Sequence, residues 1–420
     1  MSSAVHQSAI PPKSTPTASP LSGMLFATLI AITTTGPLTM QMYAPLVPTL
    51  RETFGTSLAA AQLGLSLAYA MFSLATLLYG PFSDRFGRRP VLLLGTAIFC
   101  VGGALCTLAP GIEWLIAGRV AQAVGAGAGM VLARAIVRDL CDRDQSAAMI
   151  AYITMGMVLA PMFAPMVGGV LSDLFTWRGM FAFTLIYGLA VLALVALLIP
   201  ETAPGPTGRQ TREPARPQIT FHSWRQEAME LVSLQRFWGY VLQVAFLMAV
   251  FFTIVASAPY LMIDHLGYTA TEFGIWFMLM GGLYIVGNYM AARLTPKVGG
   301  DQMIRLGLAL NVPVLAAGLA MAWAGFMGPV LIMILPALGS IGHGLAMPNG
   351  QAGAIDVNPR LAGTAAGLAT AIPMMLAAGI MQLMSYLQDG TALPMYVLMS
   401  VCLCLSWLSF GLANGFLRAK

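Results

Sequence analysis

Apolar segments recur along the chain at lengths that match the thickness of a lipid bilayer. Six of them precede residue 200, at 22–48, 58–79, 91–110, 112–137, 147–171 and 179–199. Six more follow residue 235, at 237–263, 272–294, 302–323, 329–351, 361–387 and 391–417. Because about 20 consecutive apolar residues suffice for a helix to cross the hydrocarbon core, this pattern predicts twelve transmembrane helices.

The polar segments between these spans predict how the chain is divided. Residues 1–21 are rich in Ser, Pro and Thr and lack the features of a signal peptide, so they are predicted to form a disordered cytoplasmic tail. Residues 200–235 are rich in Pro and charge and cannot lie in lipid. They are predicted to be a cytoplasmic linker between two six-helix bundles, at 22–199 and 236–420, and residues 224–234 could form an amphipathic surface helix.

The composition agrees with a polytopic membrane protein. Apolar residues make up 58% of the chain and charged residues 9%, whereas about a quarter of a soluble domain is charged. Of the 21 Lys and Arg residues, only Arg51 and Arg178 fall in the odd-numbered loops, so both termini are predicted to be cytoplasmic. The basic residues are therefore expected to meet lipid headgroups rather than nucleic acid. The five cysteines lack the spacing of a metal site, and no metal or cofactor is expected.

A charged stretch, GPFSDRFGRRP at residues 80–90, separates the second and third spans and predicts a tight turn between two helices. It resembles the G-x-x-x-D-R-x-G-R-R signature of the major facilitator superfamily. The resemblance implies a conformational switch on the cytoplasmic side, made by Gly80, Asp84, Arg85, Gly87, Arg88 and Arg89. Asp139 or Asp142 could pair with the arginines, and Asp84→Asn is expected to abolish transport. The alternative is a basic loop that only sets topology, which would need neither the acid nor fixed glycines.

The fourth span carries Arg119 and Gln122 on one helical face, in a sequence that resembles the family's R-x-x-Q-G signature with Ala123 in place of Gly. An arginine inside a lipid-spanning helix costs at least about 2.5 kcal/mol unless it faces protein or water. Arg119 is therefore a candidate functional residue. Its alternative is a structural role in which backbone carbonyls satisfy the guanidinium group.

Residues 156–169 of the fifth span resemble the superfamily's antiporter signature, G-x-x-x-G-P-x-x-G-G. The residues that match it are Pro161, Pro165, Gly168 and Gly169. The doubled Ala-Pro form resembles the bicyclomycin and chloramphenicol resistance branch of drug/proton antiporters. Ordinary packing of a kinked helix is the alternative.

The first span ends in TMQMYAPLVP, which resembles that branch's T-D-M-Y-L-P-A-L-P stretch. Gln41 stands where the branch carries Asp, which is the natural proton carrier and partner of the fourth-helix arginine. Gln41 and Arg119 lie at similar predicted depths, so they could hydrogen-bond directly. His343 lies mid-span and is the remaining candidate for coupling, although a histidine satisfied in the core would need no such role. Candidate cavity residues, each of which could instead be packing, are Tyr69, Phe252, Asn288 and Asn349.

The resemblances imply an all-α membrane protein with the major facilitator fold, which exports drugs or small metabolites across the inner membrane by alternating access. An importer or facilitator of a small nutrient is the alternative. An enzyme is not expected, because neither a G-x-S-x-G turn nor paired His and acidic residues occur.

The acidic residues nearest the spans, Glu113, Asp264, Glu272 and Asp389, lie at helix edges or in loops, so a buried carboxylate is not expected to carry protons. Coupling would need His343, Asp84 or the substrate, or be replaced by facilitated diffusion. Arg119 then lacks an anionic partner, so neutral or anionic substrates are expected to be preferred. The protein is expected to be a monomer.

Overall fold

The computed structural model describes residues 23–141, 143–203 and 221–414. The predicted tail at 1–21, most of the predicted linker and Asp142 lie outside these residues. The described chain is helical and contains no strand. This part of the structure agrees with the predicted all-α class.

The helices follow the apolar segments, with short 3-10 or π-helical turns at some of their ends. They are α1 (Gly23–Tyr43), α2 (Val47–Thr53), α3 (Leu58–Phe86), α4 (Arg88–Thr107), α5 (Ile112–Leu140), α6 (Arg143–Leu198), α7 (Phe221–Val232), α8 (Gln235–Pro259), α9 (Ala270–Val298), α10 (Gly300–Trp323), α11 (Leu335–Asp356), α12 (Ala362–Leu387) and α13 (Leu393–Ala413). A 3-10 turn at Ala44–Leu46 joins α1 to α2, and a π-helical turn at Tyr260–His265 extends α8.

Eleven segments of the described chain are long and apolar enough to cross a membrane, because the fifth and sixth predicted spans both fall in α6. A straight helix of 56 residues would be about 84 Å long, far more than one crossing needs. The backbone departs from helical geometry at Phe175 and at Thr176, where φ is +64°. Gly156 and Tyr187 both lie against residues 30–34 of α1, so the chain turns back between them and makes two passes.

The charged stretch at residues 80–90 contains the predicted tight turn, but the turn is a single residue and the rest of the stretch is helical. Helix α3 continues to Phe86 and α4 begins at Arg88, so only Gly87 separates them. Gly87 has φ of +96°, in the left-handed region that favours glycine. The physical reason is that polar and charged residues are acceptable in a helix once it has left the lipid, so hydropathy marks the membrane boundary rather than the helix end.

Successive spans alternate in direction, so their ends gather at two ends of the molecule. We call these the Gly55 end, which includes the turn between α2 and α3, and the Gly87 end. Helices α1–α6 form the first half of the chain and α8–α13 the second half. The two halves contact each other where α6 packs against α9 and where α3 packs against α12. Their folding as two separate six-helix bundles stays a prediction.

Helix α7 lies where an amphipathic helix was predicted, although it begins three residues earlier. Its Glu227 accepts a hydrogen bond from Thr364 of α12 over 2.5 Å. Glu230 accepts another from Asn358 over 3.0 Å. These contacts tie the linker helix to the second half.

Candidate functional site

Arg119 is buried within the first half and is 1% exposed. Its Nη1 donates to Gln122 Oε1 over 2.9 Å, as expected for two residues three apart on one helical face. Gln122 Nε2 in turn donates to Thr184 Oγ1 on α6 over 3.2 Å. The chain of hydrogen bonds fixes the guanidinium between α5 and α6.

Tyr43 packs its ring against the guanidinium group of Arg119. The Arg119 Cζ lies 4.9 Å from the ring centroid, close enough for a cation–π interaction. The ring is fixed because the Tyr43 hydroxyl donates to Ala61 O over 2.8 Å. A Cβ at Gly64 would lie 2.5 Å from that hydroxyl oxygen, so the glycine leaves the space that it occupies.

No carboxylate accompanies Arg119 in the described part of the chain. None of the ion pairs found there includes Arg119, and no Asp or Glu is among the buried residues. The groups that interact with it electrostatically are Cys106, Tyr43 and Tyr69, which are neutral at physiological pH. Arg119 Nε and Nη2 are buried without a hydrogen-bond partner. The site therefore holds an uncompensated cation with two unused donors.

Gln41 does not hydrogen-bond to Arg119, so that prediction is wrong. Gln41 is 4% exposed, and its Oε1 is buried without a partner. Two residues along a helix are rotated by about 200°, so Gln41 and Tyr43 point to different sides of α1. Tyr43 is the one that faces the guanidinium.

Tyr69 and Phe252 meet across the two halves, near Arg119. Their ring centroids are 4.6 Å apart and their planes are perpendicular, and both residues are buried. The Phe252 ring also contacts Phe251, which packs against Phe277 of α9. These aromatic rings place an apolar surface beside the buried cation.

The two candidate asparagines lie away from this cluster, within the second half. Asn288 Nδ2 donates to Tyr284 O over 3.1 Å, within α9. Asn349 accepts from Thr295 over 3.0 Å and lines a cavity of about 630 Å³ at the Gly87 end. Asn349 therefore joins α9 to α11, Asn288 bonds within α9, and neither hydrogen-bonds to Arg119.

His343 is buried in α11, apart from the Arg119 cluster. Its Nδ1 lies 2.9 Å from Gly339 O, one helical turn earlier. Its Nε2 faces the Leu247 backbone without a hydrogen bond of good geometry. One ring nitrogen is therefore hydrogen-bonded within α11, and the other is buried without a partner.

Arg88 is the centre of the charged network at the Gly87 end. Its guanidinium contacts Asp84 Oδ1 over 2.5 Å and Asp139 Oδ2 over 3.3 Å, so it joins the end of α3 to the end of α5. Ser83 accepts a further hydrogen bond from Arg88. The Arg85 guanidinium instead lies 5.3 Å from the centroid of the Phe86 ring.

Glu201 completes this network and was not expected from the sequence. Its carboxylate accepts from the backbone N–H of Arg88 over 2.9 Å and of Arg89 over 3.3 Å, so it caps the start of α4. The side chain of Arg89 donates to Ala196 O over 2.6 Å. Nothing contacts the position of a Cβ at Gly80, so close packing does not explain that glycine.

The antiporter-like segment of α6 packs against helices of both halves. A Cβ at Gly168 would overlap the backbone of Met42 in the first half, and one at Gly169 would overlap the backbone of Ala270 in the second. A Cβ at Gly274 of α9 would in turn overlap the backbone of Met166 in α6. Pro161 and Pro165 remove two backbone donors from the same stretch. Small residues here let α6 and α9 touch at the Gly55 end.

We expect Gly169→Ala to lower transport at least tenfold, because a methyl group would separate α6 from the start of α9. Gly80→Ala is the matched control from the other signature, and it should transport normally because its methyl group meets no neighbour. Efflux from cells with equal expression of the two variants measures the difference. Normal efflux by Gly169→Ala would contradict the close contact.

Comparison with known proteins agrees with these features. The model of the Major Facilitator Superfamily matches residues 29–381. A bicyclomycin resistance protein homolog of Haemophilus influenzae is 29% identical, over 91% of this chain and 96% of that protein. A chloramphenicol resistance protein of Pseudomonas aeruginosa is also 29% identical, over 89% of this chain and 86% of that protein.

Solved structures share the fold. A peptide transporter in complex with alafosfalin superposes with a TM-score of 0.75 at 15% identity, over 94% of this chain and 95% of that one. The likeness confirms the predicted fold, and the relatives confirm the resemblance predicted from the signatures. The chain is therefore a multi-pass transporter of the cell inner membrane, and it belongs to the Major Facilitator Superfamily.

Proposed function

We propose that this protein exports small amphipathic molecules, and that the molecules it handles best are neutral or anionic. The observation that carries the proposal is the buried guanidinium of Arg119, which has two unused donors and no carboxylate beside it. The names of the bicyclomycin and chloramphenicol resistance relatives support export of antibiotics or similar compounds.

The charge preference follows from the energy of bringing a second charge close to Arg119. At an effective dielectric constant near 20, two unit charges about 4 Å apart interact by roughly 4 kcal/mol. A cation would be repelled by this amount, and an anion would be attracted. Stacking on an aromatic surface such as Tyr69 and Phe252 returns only about 0.5–2 kcal/mol to a cation. A carboxylate could also accept the two free hydrogen bonds of the guanidinium.

Transport by alternating access fits the same arrangement. We propose that two six-helix bundles, at 22–199 and 236–420, rock about the Arg119 cluster, with the Gly87 end and both termini in the cytoplasm. The Arg88 network would then hold α3, α4 and α5 together as one unit during the movement. The protein acts as a monomer and carries out no covalent chemistry.

The test uses purified protein in liposomes and compounds matched in size but different in charge. Chloramphenicol serves as the neutral probe, an aromatic carboxylate as the anion and ethidium as the cation. Chloramphenicol and the carboxylate are expected to be transported faster than ethidium. If ethidium is the best substrate, the charge argument is wrong. Transport of these compounds only in the inward direction would instead support the importer.

The coupling to protons can be tested at His343. No carboxylate is buried in the described chain, so the residue that remains for proton carriage within the membrane is this histidine. Because its Nδ1 is already satisfied by Gly339 O, we expect His343→Gln to keep at least half of any transport driven by a pH gradient. A loss of gradient-driven transport, with exchange of substrate intact, would assign proton carriage to His343.

A further inference from the structure

The Gly55 end carries an ion pair between the two halves that none of the signatures includes. Arg51 Nη1 of α2 lies 3.1 Å from Asp264 Oδ2, in the turn that follows α8. The Asp264 side chain is 13% exposed and the Arg51 side chain is 41% exposed, so water screens the arginine more than the aspartate. The Arg51 guanidinium also lies 5.8 Å from the centroid of the Tyr260 ring.

Each partner is held in place by its own half. On the first half, Phe54 at the end of α2 packs its ring 5.3 Å from that of Trp177, just after the kink in α6. On the second half, Tyr260 stacks edge to face on His265, with centroids 4.7 Å apart. Both charged groups therefore sit on rigid supports, so the pair reports the separation of the halves.

A second polar contact crosses the same end. Asp173 of α6 accepts from the Thr271 backbone N–H over 3.1 Å and from its hydroxyl over 2.6 Å, at the first turn of α9. The contact lies beside Gly169 and Ala270, where α6 and α9 touch. The Gly55 end is thus closed by packed backbone together with two charge-assisted contacts.

We propose that the Arg51–Asp264 pair is a latch that keeps the Gly55 end closed and that must break for this end to open. The inference rests on the alternating access proposed above. Arg51 lies on the first half and Asp264 on the second, so movement of the halves apart at this end separates the two charges. Removal of either charge therefore favours the conformation that is open at the Gly55 end.

Hydrogen–deuterium exchange of the full chain in lipid nanodiscs tests the latch. In Arg51→Ala and Asp264→Ala, residues 47–57 and 260–272 are expected to exchange about fivefold faster, equivalent to about 1 kcal/mol. Residues 80–90 and 293–302 at the Gly87 end should exchange more slowly in the same variants. The charge-swapped double variant, Arg51→Asp with Asp264→Arg, should return both ends toward the behaviour of the unmodified protein.

Arg360→Ala is the matched control, because it removes the 3.6 Å pair with Glu230, which does not join the two halves at the Gly55 end. It should leave exchange at the Gly55 end unchanged. Unaltered exchange in both single variants would overturn the latch. Faster exchange at the Gly55 end with no change at the Gly87 end would show local loosening and overturn it as well. Neither result would alter transport by the unmodified protein, which tests the proposed function separately.

Discussion

Replacing Arg119 by Met together with Gln122 by Leu is expected to abolish transport without loss of stability. The Arg119 guanidinium is fully buried and has no carboxylate partner, so its desolvation is poorly compensated. Exchange of a buried polar cluster for apolar residues of similar volume is commonly neutral or stabilising by about 1–4 kcal/mol. The same exchange removes the buried cation that we propose attracts the substrate.

Thermal unfolding in detergent and efflux from liposomes measure the two effects on the same sample. Gln122→Leu alone is the matched control, because it keeps the cation but removes the acceptor of its 2.9 Å hydrogen bond. That variant should be destabilised by about 1–3 kcal/mol, the cost of a buried group left unsatisfied. A double variant with a lower unfolding temperature than the unmodified protein would show that Arg119 stabilises the fold. The burial of Arg119 would then need no explanation in terms of substrate binding.

The fold was predictable because lipid restricts a chain more than water does. A helix satisfies its backbone groups within its own segment, so a long apolar segment can cross a bilayer as a helix, and apolar segments identified nearly every helix. Their ends were harder to predict. Helix α3 runs on through Ser83 to Phe86, since leaving the lipid does not require leaving the helix. The turn at Phe175 and Thr176 falls between the fifth and sixth predicted spans, so hydropathy located it although neither residue is glycine or proline.

The candidate site was predictable only where its contacts are local. The pairing of Arg119 with Gln122 follows from a spacing of three residues in one helix. Tyr43, Thr184 and Glu201 reach their partners from other helices or from a distant segment, and hydropathy carries no information about such pairings. Tyr43 nevertheless lies in the stretch that resembles the family, two residues after Gln41. Helical rotation alone predicts that these two side chains cannot both face Arg119.

Introducing a carboxylate at Gln41 is expected to reverse the charge preference. Gln41 is 4% exposed and its Oε1 has no hydrogen-bond partner, so Gln41→Asp breaks no hydrogen bond that this oxygen makes. The new anion would act on Arg119 and on any substrate beside it. Even at about 8 Å and an effective dielectric constant near 20, a unit charge contributes roughly 2 kcal/mol, or about 30-fold in relative affinity. Affinity for the aromatic carboxylate should fall by about that factor, and affinity for ethidium should rise by about the same factor.

Gln41→Asn separates this charge effect from the effect of size, because Asn has the shape of Asp but remains neutral. It should keep the preference of the unmodified protein for neutral or anionic compounds. Competition between ethidium and the carboxylate in one liposome preparation gives the ratio directly, free of differences in expression. If Gln41→Asp and Gln41→Asn share one ratio, the field of Arg119 does not select the substrate. A shift confined to Gln41→Asp would instead show that the charge at this depth of the membrane, rather than the shape of the cavity, decides which molecules are carried.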